Sequence, residues 1–407
     1  MANPSFISAL KSDRCVHYLN NFLVNRAQSI DVSANVPSQI IDELGNDKHT
    51  GIISAPAEVS FNVSVFDTGI ELGRSLTEKP SATNFTLDDY ISAQVDYVGV
   101  VRDNTGNFFR SVYVKNASIN RVGYAFDISG NATESYGFVG DNMTVFDGFV
   151  VTKKYTITAA DVTNGYFTLG LQGAEAPIKT KSDSYFEGAY LLRVTKSASG
   201  KSTTLVEAND YTYIPASKRV SASGMIAGEV WTVVFYSAVM GTALAPSFNS
   251  SAPPAVRGEF TPVSIGVSSK TWIPRLQSAR IDIALQQNRI PQLGSNKVIF
   301  APGGVPNVSG NFNVLMNDLS LRKLLTYGAT SSAETQFGIE QLPTYGINNN
   351  LGLEVVVKSP KDNSVLKRIV VPDIVTNTGG MPANVNGTLM ETFGWTGKSG
   401  GLAISNS

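Results

Sequence analysis

Reactive side chains are few in this chain, and their spacing limits what they can do. Histidine occurs twice, at His17 and His49. Two imidazoles leave no His-based metal cluster and make a histidine triad a poor fit. Cys15 is the only cysteine, which excludes disulfide frameworks and thiolate metal clusters. Gly397-Lys398-Ser399 has the ending of a phosphate-binding loop, but Thr392 stands where that motif needs its first glycine, and no helical pattern follows. Gly397-Lys398-Ser399-Gly400-Gly401 also fits G-x-S-x-G on paper. A hydrolase built that way needs a later histidine, and none follows. Asp88-Asp89 reads as a solvated turn, and Trp231, Trp272 and Trp395 read as core or interface anchors. No catalytic residue, cofactor or metal is expected, and the chain does not read as an enzyme.

The organising signal is a repeat. Shifting the sequence by 249 positions lays Arg26–Thr77 on Arg275–Thr326 without a gap, and fourteen of those 52 positions are identical. They include Arg26/Arg275, Gln28/Gln277, Ser29/Ser278, Gly45/Gly294, Lys48/Lys297, Val59/Val308, Asn62/Asn311 and Leu72/Leu321. Chance pairing would give about three, so the match indicates repeated architecture. At a shift of 257, Val98, Val114, Asn120, Glu134, Gly137 and Gly140 meet Val355, Val371, Asn377, Glu391, Gly394 and Gly397. One module of roughly 125 residues is therefore present twice. The same shifts carry Asp88-Asp89 onto Phe337-Gly338 or Tyr345-Gly346, so no duplicated carboxylate site is expected.

Each module reads as strands with one wet face. Gln28–Val36 and its copy Ala279–Leu285 alternate polar and apolar residues, the period of a half-buried strand. The segments Leu44–Pro56 and Leu293–Pro306 crowd Gly, Asn, Asp and Pro, and suggest long loops or extended hairpin arms. Val59–Val65 alternates again. Asp67 or Thr68 would then cap a helix over Gly69–Thr77, and Asn317 or Asp318 its copy, the one helix expected per module. Gln94–Arg102 and Phe108–Asn116 flank Asp103–Asn107 as a hairpin, repeated around Pro360–Asn363. Glu134–Asp141 and Glu391–Lys398 close the modules as strands with glycine between aromatics.

Val150 to about Ala243 matches neither copy and has its own rhythm of short strands and turns, which suggests an immunoglobulin-like β-sandwich. The expected division is 1–148, a first module with lead-in; 149–248, the inserted sandwich; and 249–407, a Pro/Ser/Ala-rich linker and the second module. The fold class is mainly β. With 407 residues, 42% hydrophobic and 16% charged, the chain can bury large cores. Its formal net charge of −1 lacks the basic excess of a protein that wraps nucleic acid. No run of 18 apolar residues suggests a membrane span, and the N-terminus lacks the pattern of a signal peptide, so synthesis in a cytoplasm is expected.

Arg26–Val32, Leu44-Gly45-Asn46, Val59–Val65 with the helix after it, and the terminal Phe393-Gly394-Trp395 strand together resemble the major tail tube protein of long-tailed bacteriophages. The likeness covers both modules. It implies a structural virion protein whose subunits form stacked rings, their inner sheets joined into one barrel through which DNA and the tape-measure protein pass without specific binding. Ordinary rings are hexamers of single-module subunits, so two modules per chain would give a trimer with pseudo-sixfold symmetry. Partners would be further copies of the chain and the tail-tip and terminator proteins, and the location a virion tail. Asp31, Ser33 and Asn35, with Arg280 and Asp282 in the copy, would face the lumen. Gly45, Asn46, Asp47 and Lys48, with Gly294, Ser295, Asn296 and Lys297, would sit in arms reaching a neighbouring subunit or ring. A tail-tip or baseplate hub of the same fold, a glycan-binding adhesin and a monomeric multidomain β protein remain as alternatives.

Overall fold

The computed structural model describes residues 15–406 apart from 21, 37, 42–50, 55–56, 78–82, 103–107, 172–174, 181–188, 199–200, 239–254, 268, 292–297, 317–319, 328–340, 344–349 and 381–388. The chain is mainly β, with antiparallel sheets throughout the described residues. Its first half runs β1 (Cys15–Leu19), β2 (Phe22–Leu23), β3 (Ala27–Asn35), β4 (Ser38–Ile41), β5 (Gly51–Ser54), β6 (Glu58–Phe66), α1 (Glu71–Leu76), β7 (Asn84–Thr86), α2 (Leu87–Ser92), β8 (Gln94–Arg102), β9 (Phe108–Asp127), β10 (Thr133–Gly140) and β11 (Met143–Phe146). The intervening segment forms β12 (Phe149–Thr156), α3 (Ala159–Asn164), β13 (Tyr166–Thr168), β14 (Leu191–Ala198), β15 (Lys201–Leu205), β16 (Thr212–Ile214), β17 (Arg219–Ser221) and β18 (Val230–Ser237).

The second half then repeats the first: β19 (Val263–Gly266), β20 (Thr271–Trp272), β21 (Leu276–Ala284), β22 (Gln287–Pro291), β23 (Val298–Pro302), β24 (Asn307–Leu315), α4 (Ser320–Tyr327), β25 (Gly352–Lys358), β26 (Val365–Val371), β27 (Ile374–Gly380), β28 (Met390–Gly397) and β29 (Ala403–Ser405). Strands β3 and β21, and β6 and β24, have identical lengths at the 249-residue offset. The shared Arg-x-Gln-Ser explains the start of each copy. Arg26 and Arg275 both take a left-handed backbone, with φ 56° and 63°. Each following glutamine donates its side-chain amide to that arginine's carbonyl at 3.2 Å. The same carbonyl accepts from Phe66 N in one copy and Leu315 N in the other. Gln28 and Gln277 are thereby squeezed out of the ladder as β-bulges. A bulge fixes register, so the motif sets which residues of β3 and β21 point inward.

The two halves join edge to edge. Strand order across the larger sheet is β3-β6-β10-β9-β21-β24-β28-β27, four strands from each half, with β9 pairing β21 at the centre. A second layer is β2-β1-β8-β9-β11 in the first half and β20-β19-β25-β26-β29-β7 in the second. Strand β7 of the first half closes onto β29, with Phe85 opposite Ile404, so the layers of the two halves are laced together. Between them lies one continuous core that includes Phe61, Phe138, Tyr136, Ile281, Phe312, Phe393 and Trp395. It follows from alternation: Val59, Phe61, Val63 and Val65 of β6 turn inward while Ser60, Asn62 and Ser64 turn out.

The intervening segment has its own core. Sheets β12-β18-β14-β15 and β13-β17-β16 enclose Trp231, Phe235, Leu191, Phe167 and Val220, and this core extends onto Val98, Val100 and Tyr113 of the first half. A buried ion pair fastens the two: Arg193 Nη1 lies 2.8 Å from Asp96 Oδ1, and Tyr113 donates its hydroxyl to Asp96 Oδ2 at 3.1 Å.

Several local expectations need correction. Among the described residues the first half has two helices, not one, and a third lies in the intervening segment. Asp88 and Asp89 belong to the first turn of α2, where Asp89 accepts the Thr86 amide at 2.9 Å as the N3 member of a capping box. The pattern Thr-x-x-Asp was present in the sequence, but the short apolar content of Leu87–Ser92 hid the helix. Neither Asp67 nor Thr68 caps α1; its N-cap is Ile70, with no side-chain bond. Asp67 accepts from Gly69 N at 2.9 Å and otherwise serves an ion cluster. Strand β9 runs well beyond Asn116, to Asp127, because it passes from one layer into the other. Trp231 and Trp395 are buried, whereas Trp272 is exposed. Asn317, Asp318, the turn at Asp103–Asn107 and the linker at 245–254 lie outside the described residues.

Candidate functional site: a polar sheet face and its two edges

The outward face of the eight-stranded sheet is assembled from the polar positions of its alternating strands. One row straight across it reads Ser29, Ser64, Ser135, Gly123, Asp282, Ser309 and Thr396. A second reads Asp31, Asn62, Gly137, Arg121, Ala284 and Asn307. A third reads Thr133, Ala125, Arg280, Asn311, Gly394 and Thr378. Residues directly opposite on paired strands share a face. The structure therefore brings Asp31, Ser33, Asn35, Arg280 and Asp282 onto one surface. Sequence reasoning missed Arg121 and the hydroxyl and amide groups between them. The alternation of Ser60, Asn62 and Ser64, and the identity Asn62/Asn311, were the signals that could have found them.

Neighbouring side chains on this face satisfy one another. Ser33 and Ser60 share a hydroxyl–hydroxyl bond of 2.8 Å. Asn313 donates to Ser278 Oγ and accepts from Thr392 Oγ1, both at 2.8 Å. Asn377 donates to Thr396 at 2.9 Å. The charged residues of the three rows number two of each sign. Asp282 accepts from Arg121 Nη2 at 2.9 Å and from Arg280 Nε at 2.6 Å and Nη2 at 3.1 Å. Partial burial would by itself raise the Asp282 carboxyl, but the Arg280 and Arg121 hydrogen bonds outweigh it and hold the carboxyl below its ordinary range. The face is thus made largely of short Ser, Thr, Asn and Gly groups, several of them bonded to one another. The Arg121–Asp282 pair is exposed, so Arg121→Ala should cost under about 1 kcal/mol in chemical denaturation.

Gly45, Asn46, Asp47, Lys48, Gly294, Ser295, Asn296 and Lys297 lie outside the described residues. The strands flanking them are described. β4 pairs β5 and β22 pairs β23 as two-stranded hairpins apart from the main sheets. The second hairpin crosses onto the first half: Arg289 bonds Glu58 at 2.8 Å and the Ala57 carbonyl at 2.9 Å, and Gln287 bonds the Ile91 carbonyl at 3.3 Å.

Other described residues with chemical potential have partners within the fold. His17 shares a 2.9 Å hydrogen bond with Tyr97, and burial pushes its imidazole down to about 4, which keeps it neutral. His49 lies outside the described residues. Lys398-Ser399 follows β28, and Ser399 donates to Asp373 at 2.7 Å. Among the described residues, no three His, Cys, Asp or Glu side chains converge as metal ligands. None of their helices is long and apolar enough to cross a membrane.

No protein-family model and no curated protein matches the chain. Among solved structures it is similar to the tube-terminating cap of the anti-feeding prophage, at 15% identity and a TM-score of 0.26, over 36% of this chain and 97% of that one. It is also similar to a chain of the PVC sheath-tube complex of an extracellular contractile injection system in its extended state, at 13% identity and a TM-score of 0.25, over 36% and 99%. A third similarity is to the phage SPP1 Dit (gp 19.1) protein of a hub adsorption apparatus, at 12% identity and a TM-score of 0.18, over 56% and 99%. Scores this low carry no argument about what this chain does.

Proposed function

We propose that the chain is a structural virion protein that assembles into rings whose joined sheets form the wall of a phage tail tube. The observation that carries the reading is the in-chain join of β9 to β21. Two copies of one module extend a single sheet by edge pairing, and among the described residues neither outer edge of that sheet has a further strand beside it. Repeating that join between chains builds a closed wall, with the polar face as its inner lining. Six modules close such a ring, so three chains complete it with pseudo-sixfold symmetry. Asp31, Ser33, Asn35, Arg280 and Asp282 then face the lumen, and the hairpin arms bearing Gly45–Lys48 and Gly294–Lys297 reach a neighbouring subunit or ring. The units are 1–148, 149–248 and 249–407, the middle one an immunoglobulin-like sandwich carried on the outside of the wall. The role is non-catalytic. DNA and the tape-measure protein pass without specific binding, as a near-neutral lining of short polar groups favours. Further partners are the tail-tip and terminator proteins, and the setting is a virion tail.

Negative-stain electron microscopy over a concentration series, with light scattering on the same samples, tests this. Rings or tubes with a central hole and a mass of three chains per ring are the expected result. A single capped ring at the tail end would favour a hub instead, and virion tail shafts lacking the protein would overturn the tube reading.

A further inference from the structure

Among the described residues, the edge strands of the eight-stranded sheet are β3 and β27, each paired on one side alone. They are the counterparts of the two strands that meet inside the chain: β3 corresponds to β21 at an offset of 249, and β27 to the second part of β9 at an offset of 257. The edges also share fine geometry with their counterparts. In β9 the residue skipped by the β10 ladder is Asn120, and in β27 the residue skipped by the β28 ladder is Asn377, the identical position of the repeat. After the bulge, Arg121 and Gly137 pair as Thr378 and Gly394 do, and Gly123 and Ser135 as Gly380 and Thr392 do. The template for a chain-to-chain joint is thus present, residue for residue.

Burial shows which surface is left uncovered. Ala279, Ile281, Ile283 and Leu285 are 2%, 1%, 0% and 0% exposed, because β9 and its half cover them. Their counterparts in β3 and just beyond it are Ile30, Val32, Ala34 and Val36. Ile30 and Val32 are half-buried, Ala34 is exposed and Val36 is 57% exposed. On the opposite edge Val122 is fully buried, whereas its counterpart Gly379 is half-buried. The same apolar pattern is satisfied at one joint and bare at the other. The two edges lie seven strand spacings apart, roughly 34 Å, so one chain cannot close them on itself.

We propose that β27 of one chain pairs antiparallel with β3 of a second copy, with Asn35 opposite Thr378, Ala34 opposite Gly379 and Ser33 opposite Gly380. The register is copied from Ala284 opposite Arg121, Ile283 opposite Val122 and Asp282 opposite Gly123. The 2.9 Å bond from Leu285 N to the Asn120 carbonyl becomes a bond from Val36 N to the partner's Asn377 carbonyl. Val36 enters the apolar position that Leu285 fills inside the chain. One difference is built in: the Arg121–Asp282 ion pair of the inner joint is replaced by Thr378 and Ser33 at the outer one. The outer joint therefore rests on backbone pairing, hydroxyls and apolar burial, and its strength should respond little to salt.

The pairing rests on the ring reading above, and disulfide trapping separates the two. In a Cys15→Ser background, Asn35→Cys with Thr378→Cys is the matched pair, and Ser33→Cys with Thr378→Cys and Asp31→Cys with Thr378→Cys are pairs slipped by two and four. Assembled particles of full-length protein are oxidised and run on denaturing gels. The matched pair should give dimers, linear trimers and circular trimers, and the slipped pairs should stay monomeric. Rings seen by microscopy that trap only a slipped pair, or none, overturn the register and leave the ring reading standing. Protein that forms no rings in any variant, and none in the Cys15→Ser background, overturns both. Val36→Asp gives an independent readout: it should leave the monomer's melting temperature unchanged and raise the assembly concentration about tenfold or more. Unchanged assembly by Val36→Asp would count against the joint.

Discussion

Replacing Lys367 by methionine should cost about 3–5 kcal/mol of stability at neutral pH, because it takes the counter-ion from two buried acidic side chains. Lys367 sits on β26 of the second half, 1% exposed, yet its ammonium reaches into the first. There it pairs with Asp67 and with Glu134, the latter at 2.7 Å, and lies 4.9 Å from the Tyr124 ring. Tyr136 donates to the other oxygen of Glu134 at 2.5 Å. Burial alone would lower the lysine, but the Asp67 and Glu134 charges outweigh it and raise it. Glu134 shows the opposite balance: desolvation pushes its carboxyl up to about 7 in spite of Lys367, with the Asp67 charge adding to the rise. A carboxyl whose folded value lies above its ordinary 4.5 contributes most stability below that value, and loses the contribution as pH climbs through about 7. The deficit of Lys367→Met should accordingly be largest near pH 8 and shrink toward pH 5, where Glu134 takes up a proton. Lys367→Met combined with Asp67→Asn and Glu134→Gln should recover much of the loss, since a neutral cluster leaves no stranded charge. Urea denaturation at the two pH values measures all of this. A deficit independent of pH and untouched by the neutral partners would show that Lys367 acts through packing alone.

The second large effect belongs to Gly310 and Trp395. Both are central: Gly310 lies on β24 opposite Trp395 on β28, and Trp395 is 1% exposed, its ring stacked with Phe312 at 5.9 Å. A methyl on Gly310 would overlap the Arg280 carbonyl oxygen and sit 2.7 Å from Cε2 of Trp395. The first half solves the same space differently. There Phe61 occupies the position of Gly310 and Phe138 that of Trp395, and the two rings stack at 4.3 Å. One copy divides the volume between two phenyl rings, and the other gives it to a single indole over a bare backbone. Trp395→Ala should cost about 3–5 kcal/mol. Gly310→Ala should cost at the upper end of about 1–3 kcal/mol, since backbone as well as ring must shift. Adding Trp395→Phe to Gly310→Ala should relieve the ring overlap but not the one with Arg280, so a double-mutant cycle should show a coupling above about 0.5 kcal/mol. A Gly310→Ala protein with an unchanged denaturation midpoint would refute this packing.

Much of the fold was legible because it depends on local pattern. Period-two alternation in Val59–Val65 and Ala279–Leu285 names strands and assigns their faces, since side chains alternate across a pleat whatever the strand later meets. The repeat fixed that there are two copies, and Arg-x-Gln-Ser carried the bulge that sets their register. Asp31, Ser33, Asn35, Arg280 and Asp282 could be grouped for the same reason. The tertiary structure decided what pattern cannot reach. Nothing in the sequence announces that β9 joins β21, because any strand edge offers the same amides and carbonyls, and only the packing of both halves selects the partner. Arg121 meets Asp282 across 161 residues, and Lys367 meets Glu134 across 233, through that choice. The exposure of Val36 beside the burial of Leu285 likewise follows from which edge was covered within the chain and which was left open.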